Sequence, residues 1–275
     1  MVKIGQETAG APTGLVDFKC VWVAGMPRSG SMWAYNVVRR LLDVNQWEIE
    51  PDILPLKEHQ KDRCFEKAMR NENKRRICVL KTHRKISPDL PMTRFVNTQR
   101  DIRDALMSYI RFMRCDFETG LKAAVGMASS CDHYDKFSDR IIHRLKYHDI
   151  LHQPLQIVDG LGKFLGFSPS AEINHRIVHD LSKKNIQKLI QIKEGDVRCR
   201  LECGGKLRET ELIRNLDGTY RARDEKTGFQ GGHISDYKDG DWMYLLTTDQ
   251  RREVHLRLGN WLSAHGYPPD PEMLS

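Results

Sequence analysis

Gly25-Met26-Pro27-Arg28-Ser29-Gly30-Ser31-Met32-Trp33 is the stretch that decides the fold of this 275-residue chain. It follows the apolar run Val21-Trp22-Val23-Ala24 and precedes a segment in which Trp33, Val37, Val38, Leu41 and Leu42 share one helical face. Short apolar runs read as buried strands, and a 3.6-residue apolar period reads as an amphipathic helix. Strand, glycine turn and helix is the arrangement in which backbone N–H groups cradle a phosphate. Gly25 and Gly30 have the spacing of the nucleotide loop G-x-x-x-x-G-K-[ST], but Ser31 stands at the lysine position and Met32 at the hydroxyl position. A thioether is a poor partner for hard Mg²⁺. The loop therefore reads as a phosphate cradle with Arg28 as its cation and no metal requirement.

Two later segments belong with it. Lys81-Thr82-His83 follows the strand-like run Ile77-Cys78-Val79-Leu80, and ligands of open α/β sheets gather at the C-terminal ends of the strands. Arg100 follows a third strand, Phe95-Val96-Asn97. It opens a helix whose inner face carries Ile102, Ala105, Leu106, Tyr109, Ile110 and Met113, with Ser108 about two turns in. The expected fold is α/β, a P-loop-type parallel sheet flanked by helices on both faces.

These segments resemble the PAPS-dependent sulfotransferases of the cytosolic, small-molecule type. PAPS is 3′-phosphoadenosine-5′-phosphosulfate, and PAP is the product left when its sulfuryl group is transferred. The family's loop P-K-S-G-T-T-W is here Pro27-Arg28-Ser29-Gly30-Ser31-Met32-Trp33, and its K-T-H is Lys81-Thr82-His83. Its R-x-x-x-D-x-x-x-S is met by Arg100, Asp104 and Ser108. Its Y-E-D-L and F-L-G elements are met by Tyr147-His148-Asp149-Ile150 and Phe164-Leu165-Gly166, and an echo follows at Gly240-Asp241-Trp242. The resemblance implies that His83 is the general base and that Lys81 and Arg28 stabilise charge on the leaving phosphate. It implies cofactor contacts from Arg28, Ser29, Gly30, Ser31, Met32 and Trp33, from Arg100 and Ser108 on the 3′-phosphate, and from Tyr147. Trp33 and Tyr147 are read either as adenine contacts or as plain core aromatics.

The departures are specific. Arg28 exchanges a compact ammonium for a planar fork. Met32 removes a hydroxyl donor. The family's late R-K-G phosphate clamp has no evident counterpart. The nearest equivalent, Phe229 with Gly231 and Gly232, offers backbone N–H groups but no cation, and the sequence leaves open whether Lys238 or another basic residue compensates.

Composition fits an intracellular enzyme. No apolar run approaches the roughly 18 residues of a membrane span, and the N-terminus lacks a signal-peptide core. We therefore expect a cytoplasmic protein with no membrane partner. The net charge of +7 is spread among 37 acidic residues without a long basic run, so the partner expected is an anionic nucleotide rather than nucleic acid. Homodimer formation is left open. The seven scattered cysteines read as reduced thiols, and Cys199-x-x-x-Cys203 lacks the second pair of a zinc site.

Residues 1–18 read as a loose N-terminal arm and 19–275 as one domain. Leu151–Leu165, Ala171–Lys193 and Thr248–His265 read as helices, the last ended by Gly266. A charged excursion at 194–232 carries hairpin signals at Gly204-Gly205 and Asp217-Gly218. It reads as a solvated surface excursion or as a lid over the acceptor. Its acidic residues Glu194, Asp196, Glu202, Glu209 and Glu211 raise the idea of a cationic acceptor. The function expected is sulfuryl transfer from PAPS to a hydroxyl or amine/guanidinium of a small molecule. The alternatives are a P-loop nucleotide kinase and a non-catalytic PAP- or PAPS-binding module.

Overall fold

A computed structural model describes residues 16–215, 217–234 and 237–271. In chain order it runs β1 (Cys20–Ala24), α1 (Ser31–Val44), β2 (Glu48–Glu50), α2 (Glu58–Arg70), β3 (Arg76–Thr82), β4 (Thr93–Gln99), α3 (Ile102–Met113), α4 (Phe117–Asp135), β5 (Ile142–Lys146), α5 (Tyr147–His152), α6 (Pro154–Phe164), α7 (Ala171–Asp180), α8 (Lys183–Glu202), β6 (Leu212–Arg214), β7 (Tyr220–Ala222), α9 (Trp242–Leu245) and α10 (Thr248–Ala264). The first five strands form one parallel sheet in the order β2-β3-β1-β4-β5.

β1 is buried along its whole length because the sheet is covered on both sides. Val21, Val23, Val79 and Val96 pack beneath α1 with Val37, Val38, Leu41 and Leu42. The alternate residues Cys20, Trp22, Cys78, Leu80 and Phe95 pack on the other face with Ala68 of α2 and Tyr134 of α4. A third cluster joins α3, α4, α9 and α10 through Leu106, Leu121, Trp242, Leu258 and Trp261. The expected sheet, with helices on both faces, is the observed one.

Several boundaries differ, each for a local reason. Phe18 is 3 % exposed and Val16 packs against the same core, so residues 16–18 are not loose; residues 1–15 of the expected arm lie outside the described residues. The helix expected over 151–165 is two, because Pro154 cannot occupy a helix interior and instead starts α6. The helix expected over 171–193 breaks at Leu181-Ser182, where the Ser182 hydroxyl accepts from the Asn185 N–H and starts α8. α8 then runs nine residues into the expected excursion. Gly204-Gly205 ends that helix instead of turning a hairpin, the Gly205 N–H donating to the Arg200 carbonyl at 2.7 Å. Asp217-Gly218 does lie between the paired strands β6 and β7.

All seven cysteines are unpaired. Among the described residues, no helix is long and apolar enough to cross a membrane.

Candidate active site

The parallel register sets Ala24 opposite Thr82 and Val23 opposite both Lys81 and Val96. The C-terminal ends of β1, β3 and β4 therefore lie level, and deliver the glycine loop, Lys81–His83 and Arg100 to one edge of the sheet. Lys81 and Thr82 are the last two residues of β3, which runs two residues past the apolar run Ile77–Leu80.

The loop is braced from below. Ser29 is fully buried, and its hydroxyl lies 2.6 Å from the Met26 carbonyl and 2.6 Å from the Thr98 hydroxyl. Its side chain is thus committed to the fold, which leaves only its backbone N–H for a phosphate. Gly30 has φ 83 and sits directly before α1, where left-handed backbone favours glycine. A Cβ there would lie 3.0 Å from Ile150 and 3.2 Å from the Tyr147 ring, so the loop and α5 touch. Ser31 is buried at the first position of α1. Met32 does not face the loop: its sulfur packs at Gly228, where a Cβ would come within 2.8 Å of it. Trp33 is half-buried against the core beneath α1.

The cations converge. Arg28 Nε donates to the Ser108 hydroxyl at 2.9 Å, and its Nη2 donates to the carbonyls of Gly232 at 3.1 Å and His233 at 3.3 Å. Its guanidinium lies 4.2 Å from the centre of the Phe112 ring. Burial lowers its pKa to about 10, so it stays charged at neutral pH. Lys81 Nζ lies 2.6 Å from His83 Nε2, and His83 Nδ1 lies 2.6 Å from the Gly25 carbonyl. A carbonyl only accepts, so Nδ1 carries the proton and Nε2 presents a lone pair. The surrounding protein, and then the Lys81 ammonium, hold the His83 pKa well below its ordinary value. Burial, and then Lys61, lower the pKa of Lys81 to about 7. Lys61 is a cation the sequence did not single out. It lies on α2, is 7 % exposed and pairs with Glu58, which also accepts from the Thr82 hydroxyl at 2.9 Å. Nothing in a charged helical run such as Glu58–Arg70 marks one lysine as buried.

Arg100 and Ser108, expected on one phosphate, face different partners. Arg100 is 5 % exposed, donates to Asp239 at 3.0 Å and lies 4.1 Å over the Tyr147 ring. Its Nε is buried without a hydrogen-bond partner. Asp104 accepts from the Gly240 N–H at 3.0 Å, and burial raises its pKa to about 6. Phe229 is a core residue with 4 % exposure. The Gly231 N–H is already given to the Ala222 carbonyl at 3.3 Å, and Gly232 offers its carbonyl to Arg28. These glycines act as a lining for Arg28 more than as a row of free donors. His233 is a second unforeseen member: it stacks on Phe112 at 5.3 Å, and its Nδ1 is buried without a partner.

The acids of the excursion, read from the sequence as solvated charge or as a surface for a cationic acceptor, have specific ionic partners. Glu211 is 1 % exposed and bound by Lys193 at 2.7 Å and Arg200 at 2.6 Å. Asp196 pairs with Arg200 at 3.0 Å, and Glu209 with Lys57 at 3.3 Å. Glu209 thus pairs ahead of α2 and Asp196 pairs within α8, while Glu211 ties α8 to the start of the β6–β7 hairpin. The space they frame is a cavity of about 840 Å³ that opens on Arg28 and Ser108 and is lined by Arg111, Arg114, Arg198 and Arg221. Glu194 is the carboxylate among the described lining residues.

Comparison with known proteins follows the same lines. The chain matches the sulfotransferase domain family over residues 19–197. Among solved structures it is similar to retinol dehydratase in complex with androsterone and the inactive cofactor PAP, with a TM-score of 0.59 at 16 % identity, covering 92 % of this chain and 82 % of that one. It is also similar to the mouse sulfotransferase SULT7A1 complexed with PAP, with a TM-score of 0.57 at 15 % identity, covering 90 % and 84 %. Among curated protein sequences, none matches this chain. At such identities the structural likenesses speak for the fold, and the domain match, spanning more than half the chain, speaks for the lineage. The chain belongs to the PAPS-dependent sulfotransferase family.

Proposed function

We propose that this chain uses PAPS to place a sulfuryl group on a nucleophilic oxygen or nitrogen of a small molecule, releasing PAP. The observation that carries the reading is the Lys81–His83–Gly25 chain of contacts at 2.6 Å each, beside the glycine loop. It fixes one tautomer of a neutral imidazole next to a cation at the level where the strands end. The residues suit a nucleotide carrying phosphates: the buried Arg100 Nε has no partner, and the left-handed Gly30 directly before α1 brings the loop backbone against α5 with no side chain of its own in the way. When bound, PAPS supplies the sulfuryl group and a phosphate on which negative charge grows.

The protein's own residues supply the rest. His83 Nε2 takes the proton of the acceptor as its oxygen or nitrogen attacks. Lys81 holds that lone pair until an anion draws its ammonium away, so base and cation become available together. Arg28, charged throughout the neutral range, and Lys81 stabilise charge developing at the leaving oxygen. Ser108 and Arg28 place the nucleotide against α3, and Tyr147, held under the Arg100 guanidinium, lies against the loop for the base. No step needs a metal. The seven unpaired thiols support a reducing, cytoplasmic setting. The Met32 thioether, packed at Gly228, leaves no hydroxyl for the magnesium that a nucleotide kinase needs.

The test is turnover of radiolabelled PAPS in EDTA over a panel of phenols, alcohols and amines, beside calorimetry with PAP. Transfer of label with PAP binding is expected. PAP binding without transfer to any acceptor would favour the binding module. Activity restored only by Mg²⁺ and ATP would favour a kinase.

A further inference from the structure

The cavity framed by α8 and the β6–β7 hairpin has two ends. Arg28 and Ser108 form the near end, beside the glycine loop. The buried Arg100, with its unpartnered Nε, does not line this space and stays with the donor's phosphates. The far wall lies past Ser108. Arg221 Nη1 donates to the carbonyl of Phe112, one turn farther along α3, at 2.9 Å. Arg114 stands at the end of that helix, about 9 Å beyond Ser108 along its axis. Arg198 lines the same space from α8.

The far wall holds positive charge that the fold leaves unmatched. Arg114 is paired with Asp217 at 2.9 Å. Among the described residues, no carboxylate lies within ion-pair distance of Arg111, Arg198 or Arg221, and Glu194 is the one acid of the described lining. Arg111 and Arg198 are exposed and keep their water, so the weight falls on Arg221. Its guanidinium lies 3.7 Å from the centre of the Phe112 ring, which Arg28 also approaches at 4.2 Å. Its Nε is buried without a hydrogen-bond partner, and its Nη2 has none among the described residues. These two groups form the parallel N–H edge that a planar carboxylate accepts from. Two guanidiniums at one ring, both partly stripped of water, are relieved by an anion. Beside them, Val197, Leu201, Leu212 and Ile234 give the cavity apolar surface. The space therefore matches an apolar body that carries an acid.

We propose that the acceptor is an anion: a molecule with a nucleophilic hydroxyl or amine, an apolar body, and a carboxylate seated on Arg221, with Arg111 and Arg198 adding to the field. This rests on the reading of PAPS as donor given above, and it names the class of acceptor. The nucleophilic end lies toward Arg28, three residues from the Gly25 carbonyl that holds the His83 ring. There the acceptor oxygen or nitrogen bonds to sulfur, the bond from sulfur to the PAP oxygen breaks, and the acceptor's proton goes to His83 Nε2. The excursion then selects acceptors by charge. Its sign is opposite to the cationic acceptor that its acidic residues bring to mind in one dimension, because Glu211 and Asp196 are spent on Lys193 and Arg200.

The experiment uses the full chain and three phenols that differ chiefly in the charge of the tail: 4-hydroxyphenylacetate, its amide, and tyramine. Transfer of label from PAPS gives kcat/KM for each, and calorimetry on the PAP-loaded protein gives their affinities whether or not they are turned over. The acid is expected to exceed the amide by about 10- to 100-fold, the worth of one charge-assisted contact, with tyramine the weakest. Arg221→Gln should bring the acid-to-amide ratio to about 1 while PAP affinity changes less than about 3-fold, and Arg221→Lys should restore part of the ratio. Arg198→Gln, at an exposed position, should lower the ratio about 2- to 5-fold. A structural role for Arg221 would instead weaken all three probes together and leave the ratio in place. Equal affinities, a preference for tyramine, a ratio that survives Arg221→Gln, or no binding of any probe to protein that holds PAP would each overturn the proposal. So would a parallel loss of PAP affinity in Arg221→Gln, which would put that arginine on the donor. Failure of the unaltered protein to bind PAP at all would strike the donor reading. If Arg221→Gln does not fold, Arg221→Lys and Arg198→Gln carry the decision.

Discussion

The site has two sides of different construction. On one side, the loop, Lys81–His83 and Arg100 stand at the ends of three hydrogen-bonded strands whose every second residue is locked into a core. On the other, the described residues of 203–245 have two three-residue strands, a single 3-10 turn and one four-residue helix, and are held by ion pairs. There Arg223 donates to the carbonyls of Thr210 at 3.0 Å and Leu54 at 2.6 Å, and Glu225 pairs with Arg208. The difference teaches where each kind of precision comes from. The lone pair of His83 is fixed from the ends of the strands, and the arginine-lined cavity is framed where ion pairs between side chains hold the backbone.

The comparison breaks most sharply at His83. His83→Ala is expected to lower turnover by about 10²- to 10⁴-fold, the usual contribution of a general base, while PAP affinity stays within about 3-fold. Steady-state rates beside calorimetry check this. A variant that keeps near-normal turnover would remove the base from the strand-end side. Lys81→Ala is expected to cost about 10²-fold through lost charge stabilisation, and a more acidic leaving group on the donor should recover part of that loss but none of the His83→Ala loss.

A pH experiment sharpens it next. Burial takes Lys81 from an ordinary 10.5 to about 7 in the free protein. Between those values the unfolded chain holds a proton that the folded one lacks, so this group makes stability rise with pH from about 7 upward. Lys81→Met should flatten that rise in chemical denaturation. PAP brings negative charge to the ammonium and raises its pKa again, so binding near pH 8 should take up protons, about one at most. Calorimetry in two buffers of different ionisation heat reads this directly, and no buffer dependence would contradict it.

The smallest effect concerns the other side. Arg200, Lys193 and the Arg208 N–H hold the Glu211 carboxyl far below its ordinary 4.5. Its contribution to stability is therefore present above about 4.5 and fades as the pH falls through the folded value. Glu211→Gln should cost about 1–3 kcal/mol at pH 7 and progressively less in acid, by urea denaturation. It should loosen acceptor binding before it touches the His83 chemistry. Equal losses in both would mean that the two sides are not separable.

What could be read from the sequence follows the same division. Val21–Ala24, Ile77–Leu80 and Phe95–Asn97 declare themselves because buried parallel strands are nearly all apolar, and their ends name the loop, Lys81, His83 and Arg100. α2 and Lys61 were not legible, because a helix with a few buried contacts among charged residues has no distinctive period. The second side was misread for a physical reason. Glu211 and Arg221 look like solvated surface in one dimension, and only the fold shows that Glu211 is buried against α8 and that Arg221 lines a cavity, while Asp196 stays exposed on α8. Met32 was rightly seen to lack a hydroxyl, but its packing on Gly228, nearly two hundred residues away, is a tertiary fact.

Gly25 sets a rule on how this chain can vary. A Cβ at that position would lie 1.9 Å from the Thr98 hydroxyl oxygen and 3.1 Å from the Ser31 Cβ. The same hydroxyl is what braces Ser29 beneath the loop. Gly25 is thus less a hinge for the loop than an empty seat that Thr98 occupies from the neighbouring strand. The two positions form an epistatic pair: alanine at 25 is forbidden beside Thr98, and shortening 98 relieves the nearest clash only by taking the brace from Ser29. A lineage that changed either residue would pass through a crippled intermediate, at a position whose carbonyl also holds the His83 ring.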